Sequence, residues 1–164
     1  MSQLKGESIL LLKVKPGEMH KAVNDLERSE EINEVDPVLG FYDIVASGAF
    51  DDSRDLTDFI ERVESKPFFQ SCYARPSYES WKRRTKGDSR DQGWVLIRSS
   101  TPSATLRELK KLPNIQKLVF TSGDFNIVAN FGVRGRGDWK RTVFKDIHGA
   151  AGVKEAITLL GMSD

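Results

Sequence analysis

His20, His148, Cys72 and Asp43 are the side chains in this chain best suited to acid–base chemistry, metal binding or capture of a charged ligand. His20 falls beside the apolar stripe of an expected helix, and His148 near the end of another. They lie in different halves of the chain and have no companions at metal-ligand spacing. Each therefore reads as a solvated or capping residue rather than a metal ligand or general base. Cys72 is the sole cysteine, which excludes an intramolecular disulfide and a multi-cysteine metal site and fits a small core residue. Neither Gly135 nor Gly149 is followed by the Lys-Ser/Thr pair of a phosphate loop. Arg134-Gly135-Arg136-Gly137-Asp138 reads as a flexible turn. Asp43 differs from the rest because its surroundings recur. Leu39-Gly40-Phe41-Tyr42-Asp43-Ile44-Val45-Ala46 returns 83 residues later as Ser122-Gly123-Asp124-Phe125-Asn126-Ile127-Val128-Ala129. At such a turn Asp43 can serve a ligand or accept backbone N–H groups, and the sequence admits both. Asn126 replaces it in the second copy and removes a negative charge.

The elements that must hold these residues repeat as well. Ile32 maps to Ile115 and Leu26 to Leu109 at the same offset. Ser8 to Val14 is apolar on both alternating sets, as a strand covered on both faces would be. Pro16-Gly17 turns the chain into a helix whose stripe is Met19, Ala22, Val23 and Leu26. Ile32 to Val38 reads as a second strand, with Pro37 at an edge or end. Phe41 to Phe50 reads as a third. Asp51-Asp52-Ser53 caps a helix with Leu56, Phe59, Ile60 and Val63 inside, and Phe69 to Tyr78 closes the unit. The second copy follows suit: strand Trp94–Arg98, a helix with Thr101 as N-cap and Pro102 at its first position, and strands Ile115–Thr121 and Asp124–Val133. A helix carrying Trp139, Val143 and Ile147 and a strand from Val153 to Leu160 complete it. The polar stretch 79–92, with the basic run Lys82-Arg83-Arg84-Thr85-Lys86, reads as a solvated linker. Trp81, beside it, is a candidate anchor of one repeat on the other.

At 164 residues the chain then divides as 1–78, a linker 79–92, and 93–164. Two units of about 80 residues bury modest cores and lean on a partner surface. The predicted fold class is α+β, with tandem ferredoxin-like βαββαβ domains. Their antiparallel four-stranded sheets are expected to pack face to face, as in dimeric α/β-barrel proteins. A four-stranded sheet with both helices on one face leaves the other bare, and Ile9, Leu11 and Trp94 would make it an apolar patch. The faces carrying Val45 and Val128 are therefore expected to be covered. Net charge is only +1, yet residues 1–78 carry 9 Lys/Arg against 15 Asp/Glu, and residues 93–164 carry 11 against 6. Opposite halves favour docking of repeats; the basic half alone is weak support for nucleic-acid binding. No apolar run reaches the ~20 residues of a membrane span, and the amino terminus lacks a signal-peptide core, so a cytoplasmic location is expected.

On the duplicated Gly-x-aromatic-Asp/Asn-Ile-Val-Ala turn, and on the matching order of elements, the chain resembles two tandem copies of the Lrp/AsnC effector-binding domain, or RAM domain. The resemblance implies a ferredoxin-like fold that self-associates through its sheets and binds a small effector, typically an amino acid, near the turn between strands two and three. The matching positions are Gly40, Tyr42 and Asp43, then Gly123, Phe125 and Asn126. Glycine lets a turn expose backbone amides, and a carboxylate or amide beside it can hold an ammonium group. Only about eight residues precede the first strand, so no recognition helix is expected and direct DNA binding is not; the implied partner is a DNA-binding regulator of the same family. Neither a cofactor nor a metal is implied, and enzymatic activity is not expected. The competing classes are a cofactor-independent small-substrate enzyme on the same scaffold and a purely structural assembly protein.

Overall fold

A computed structural model describes residues 7–84 and 91–161. The chain forms two compact units, Met1–Ser77 and Tyr78–Asp164. It is an α+β protein with antiparallel strand pairing throughout the pairs given below.

In the first unit, β1 (Ser8–Val14), α1 (Met19–Glu27), β2 (Ile32–Leu39), β3 (Ile44–Gly48), α2 (Ser53–Glu64) and β4 (Phe69–Lys82) follow in the expected order. β1 pairs with both β3 and β4, and β3 with β2, so the strands lie in the order β4-β1-β3-β2. Helices α1 and α2 share one face of that sheet. Leu10, Leu12, Ile44, Ala46 and Cys72 from the strands pack there with Ala22, Leu26, Leu56, Phe59 and Val63 from the helices. Asp52 caps α2, its carboxylate accepting the Asp55 N–H at 2.9 Å.

The second unit repeats the plan with β5 (Asp91–Ser99), α3 (Pro102–Lys110), β6 (Ile115–Thr121), β7 (Ile127–Val133), α4 (Arg136–Lys140) and β8 (Val153–Gly161). Its order, β8-β5-β7-β6, matches that of the first unit. Val95, Ile97, Ile127 and Ala129 meet Leu109, Val143 and Ile147 in its core. After α4 the chain continues as a π-helical segment, Arg141–Ile147, where the His148 N–H donates to the Val143 carbonyl at 3.0 Å. The opposite sheet faces are also out of water. Val45 is 1% exposed and Val128 0%, with Ile9, Leu11, Trp94 and Leu96 equally buried. Each such side chain removed from water is worth roughly 1.5–3 kcal/mol. Among the described residues, no helix is long and apolar enough to cross a membrane.

Several boundaries differ from the sequence expectation. β3 is shorter than Phe41–Phe50, and β7 shorter than Asp124–Val133, because the residues after each turn glycine make the turn rather than the ladder. Thr101 stands at the N-cap of α3 without a side-chain cap bond; instead its N–H donates to Ser99 Oγ at 3.0 Å. The Arg-Gly-Asp turn is not loose. Asp138 lies in the first turn of α4, where its carboxylate accepts the Arg134 N–H, the Asn114 side chain and Arg141.

The stretch 79–92 is strand at both ends. β4 runs to Lys82 and β5 opens at Asp91, while residues 85–90 lie outside the described residues. The last residues of β4 belong to the second unit, and Trp81 packs in that unit's own core. Arg83, expected to be solvated, donates to the carbonyls of Lys110 (3.0 Å), Leu112 (2.8 Å) and Ile115 (2.8 Å). The end of α3 leaves the Lys110 carbonyl without an intrahelical donor, and the guanidinium supplies one while also tying down the approach to β6 through Leu112 and Ile115. Arg83→Ala is expected to lower unfolding free energy by about 2 kcal/mol in urea denaturation, and Arg83→Lys to recover less than half of it. A loss under about 0.5 kcal/mol for Arg83→Ala would contradict this clamp.

Cys72 is 5% exposed. Burial, and secondarily the Glu64 carboxylate, push its thiol up to about 12. Near pH 8 the native thiol is therefore protonated and shielded. Labelling by Ellman's reagent should be far slower in the folded chain than in urea; equal rates would contradict the burial.

Candidate functional site

The residues singled out at the two turns occupy the same structural position in both units. Gly40 has φ +144° and Gly123 φ +105°, in the region open to glycine. In each unit the first strand runs on past its last pair with the third, Leu12 opposite Ile44 and Ile97 opposite Ile127. The next amide on that side of the strand has no ladder acceptor and needs another. The side chain three residues after the turn glycine meets that amide: the Val14 N–H donates to Asp43 Oδ2 at 2.8 Å, and the Ser99 N–H donates to Asn126 Oδ1 at 3.0 Å. The backbone bonds repeat too. The N–H of Asp43 donates to the Leu12 carbonyl and that of Asn126 to the Ile97 carbonyl, at 2.9 and 3.0 Å. The Val38 and Thr121 N–H groups donate to the Asp43 and Asn126 carbonyls, at 2.8 and 2.9 Å.

Beyond this shared frame the turns diverge. Asn126 also donates through Nδ2 to the Ser99 carbonyl at 2.9 Å, so both ends of its amide are spent on one residue. Asp43 has no donor to offer in return. Around Asp43 the surface is aromatic. Tyr42 is 8% exposed, while Phe41 and Tyr73 are 60% and 51% exposed. Phe41 stands edge-on to Tyr42 with ring centroids 5.1 Å apart, and Tyr73 edge-on at 6.0 Å. The Lys13 ammonium sits 4.1 Å from the Phe41 centroid and 5.9 Å from that of Tyr42. In the second unit the register places Arg98, Asp124, Phe125 and Ile157 where the first has Lys13, Phe41, Tyr42 and Tyr73. There Arg98 pairs with Glu155 at 3.3 Å.

Lys13, Phe41 and Tyr73 were not picked out from the sequence as site residues. They come from three elements, and strand register alone brings them together. The one sequence signal was a lysine interrupting the apolar run of β1.

The other candidates lie apart from this cluster. His20 is exposed on α1 with Nε2 3.2 Å from the Asn24 amide nitrogen. His148 is half-buried, 3.5 Å from Thr158 Oγ1, with its ring near Phe144. Asp52, Asp51 and Asp58 raise the Asp55 carboxyl above its usual range, Asp52 most strongly and Asp51 and Asp58 in concert with partial desolvation. Among the described residues, no group of three or more His, Cys, Asp or Glu side chains is arranged to hold a metal ion.

No protein-family model matches the chain, and no curated protein matches it in sequence. Solved structures do. The chain is similar to the siroheme decarboxylase NirDL, with a TM-score of 0.77 and 7% identity over 96% of this chain and 71% of that one. It is similar to a mutant chlorite dismutase from Candidatus Nitrospira defluvii, with a TM-score of 0.58 and 12% identity over 100% of this chain and 93% of that one. A third is a putative monooxygenase from Fusobacterium nucleatum subsp. nucleatum, with a TM-score of 0.52 and 9% identity over 99% of this chain and 94% of that one. At such identities the likeness establishes a shared fold and nothing finer.

If the side chain after the turn is a structural tie, Asp43→Asn should be tolerated to within about 0.5 kcal/mol in denaturant unfolding, since an amide serves in the other unit. Asp43→Ala orphans the Val14 N–H and should cost about 1–2 kcal/mol, with Asn126→Ala costing at least as much. Equal, negligible losses for both alanine variants would remove the tie.

Proposed function

We propose that this chain is a ligand-sensing module of the kind its resemblance to tandem Lrp/AsnC effector-binding domains implies, with one working site, at the β2–β3 turn of the first unit. The observation that carries this reading is the asymmetry between two turns built on one backbone frame. Asn126 commits its whole amide to Ser99. Asp43 commits one oxygen to Val14, and its other oxygen accepts no hydrogen bond from the described residues. That second oxygen is suited to an ammonium group, which favours an amino acid as effector. Among the described residues, the first turn alone has exposed rings with a cation over them.

The signal would pass through the frame itself. Asp43 joins the turn to the end of β1, so a ligand on its carboxylate bears on two strands at once. A ligand shifts assembly, or affinity for a DNA-binding regulator, only by binding one state better than the other. The alternative is a small-substrate enzyme of the dimeric α/β-barrel type. Its support is the shared fold with a siroheme decarboxylase, a chlorite dismutase and a putative monooxygenase, all named for catalysis.

Calorimetry against the twenty amino acids at millimolar concentration tests the proposal. At least one is expected to bind, with one site per chain, and Asp43→Ala should abolish it. Two sites per chain would contradict the asymmetry. No heat with any amino acid would remove the sensor reading and leave the enzymatic and purely structural ones.

A further inference from the structure

The first turn carries more than a place for an ammonium group. β1 and β4 pair with Lys13 directly opposite Ser71, which sets their Cβ atoms roughly 4.5–5.5 Å apart on one face of the sheet. Ser71 Oγ is buried and makes no hydrogen bond in the structure. A buried hydroxyl of that kind calls for an acceptor. No carboxylate among the described residues lies within ion-pair distance of Lys13, whereas its counterpart Arg98 faces Glu155 across the equivalent strand pair. One cation and one unsatisfied donor on the same row make a place for an anion, and a carboxylate offers two acceptor oxygens at suitable spacing. Next to that row, Phe41 and Tyr73 present exposed rings that both stand edge-on to the nearly buried Tyr42. Flat, stiff rings at low entropy cost are the usual means of holding another ring.

We infer that the first-unit turn selects an aromatic carboxylate, its anionic group on Lys13 and Ser71 and its ring against Phe41 and Tyr73. The inference rests on the reading of this turn as the working site. It goes further in naming the ligand class and the residues that choose it, and it does not require an amino group.

The test is calorimetry on the full chain with phenylacetate, phenethylamine, acetate, L-phenylalanine and L-alanine. Phenylacetate and L-phenylalanine are expected to bind at least tenfold more tightly than phenethylamine, acetate or L-alanine. Lys13→Gln and Phe41→Ala should each weaken phenylacetate at least tenfold, with thermal unfolding unchanged for Lys13→Gln. Arg98→Gln, the counterpart in the second unit, should leave affinity unchanged. Phenylacetate binding with no amino acid bound would keep this inference and sink the amino-acid reading. L-alanine binding as tightly as L-phenylalanine would do the reverse. Phenethylamine matching phenylacetate, or Lys13→Gln leaving affinity intact, would overturn the inference. So would a concentration-dependent rise in solution mass abolished by Phe41→Ala, which would give the rings to a second copy of the chain.

Discussion

A strand that outruns its neighbour leaves one amide with no partner in the ladder, and a buried or half-buried amide left so costs about as much as a lost hydrogen bond. Both units meet that constraint at the end of their first strand, and both meet it with the side chain three residues past a left-handed glycine. The solution fixes much else. It seats the β2–β3 turn against the end of β1, holds Ile44 and Ile127 at the start of β3 and β7, and sets their inward alternation toward the helices. A shift of one residue would turn those isoleucines to the opposite face.

Once the frame is supplied by geometry common to Asp and Asn, the difference between them becomes available for something else. Asparagine closes on Ser99 as both donor and acceptor. Aspartate leaves an oxygen over. The surroundings differ in the same direction: the second unit neutralises its cation with Glu155 and carries Asp124 at the turn, whereas the first keeps rings around Lys13. On the proposed reading the second turn serves as support and the first is the one that binds.

The repeat was legible in the sequence because a positive φ calls for glycine and the buried Ile-Val-Ala run is set by the core, in both units alike. Helix stripes such as Leu56, Phe59 and Val63 were legible because burial on one face imposes their spacing. The polar end of β4 was not. Glu79 to Lys82 lacks the apolar alternation of a half-buried strand, and its order depends on Trp81 and Arg83 reaching groups about 30 residues away. Asp43 was legible as a candidate ligand group and as an acceptor of backbone N–H groups, but its partner was not, since Val14 is 29 residues distant and meets it only where β1 runs past the start of β3. The cluster of Lys13, Phe41 and Tyr73 was invisible for the same reason, because pairing across strands leaves no local pattern.

The account stands on the matched ties at Val14 and Ser99. Amide hydrogen exchange of the unmodified chain, resolved at single residues by NMR, addresses them directly. Both amides should exchange as slowly as ladder amides in the middle of β1 and β5, although both lie beyond the last pairs with β3 and β7. Exchange at either position as fast as at exposed turn residues such as Gly17 or Asp124 would contradict the shared frame, and with it the argument for one working turn.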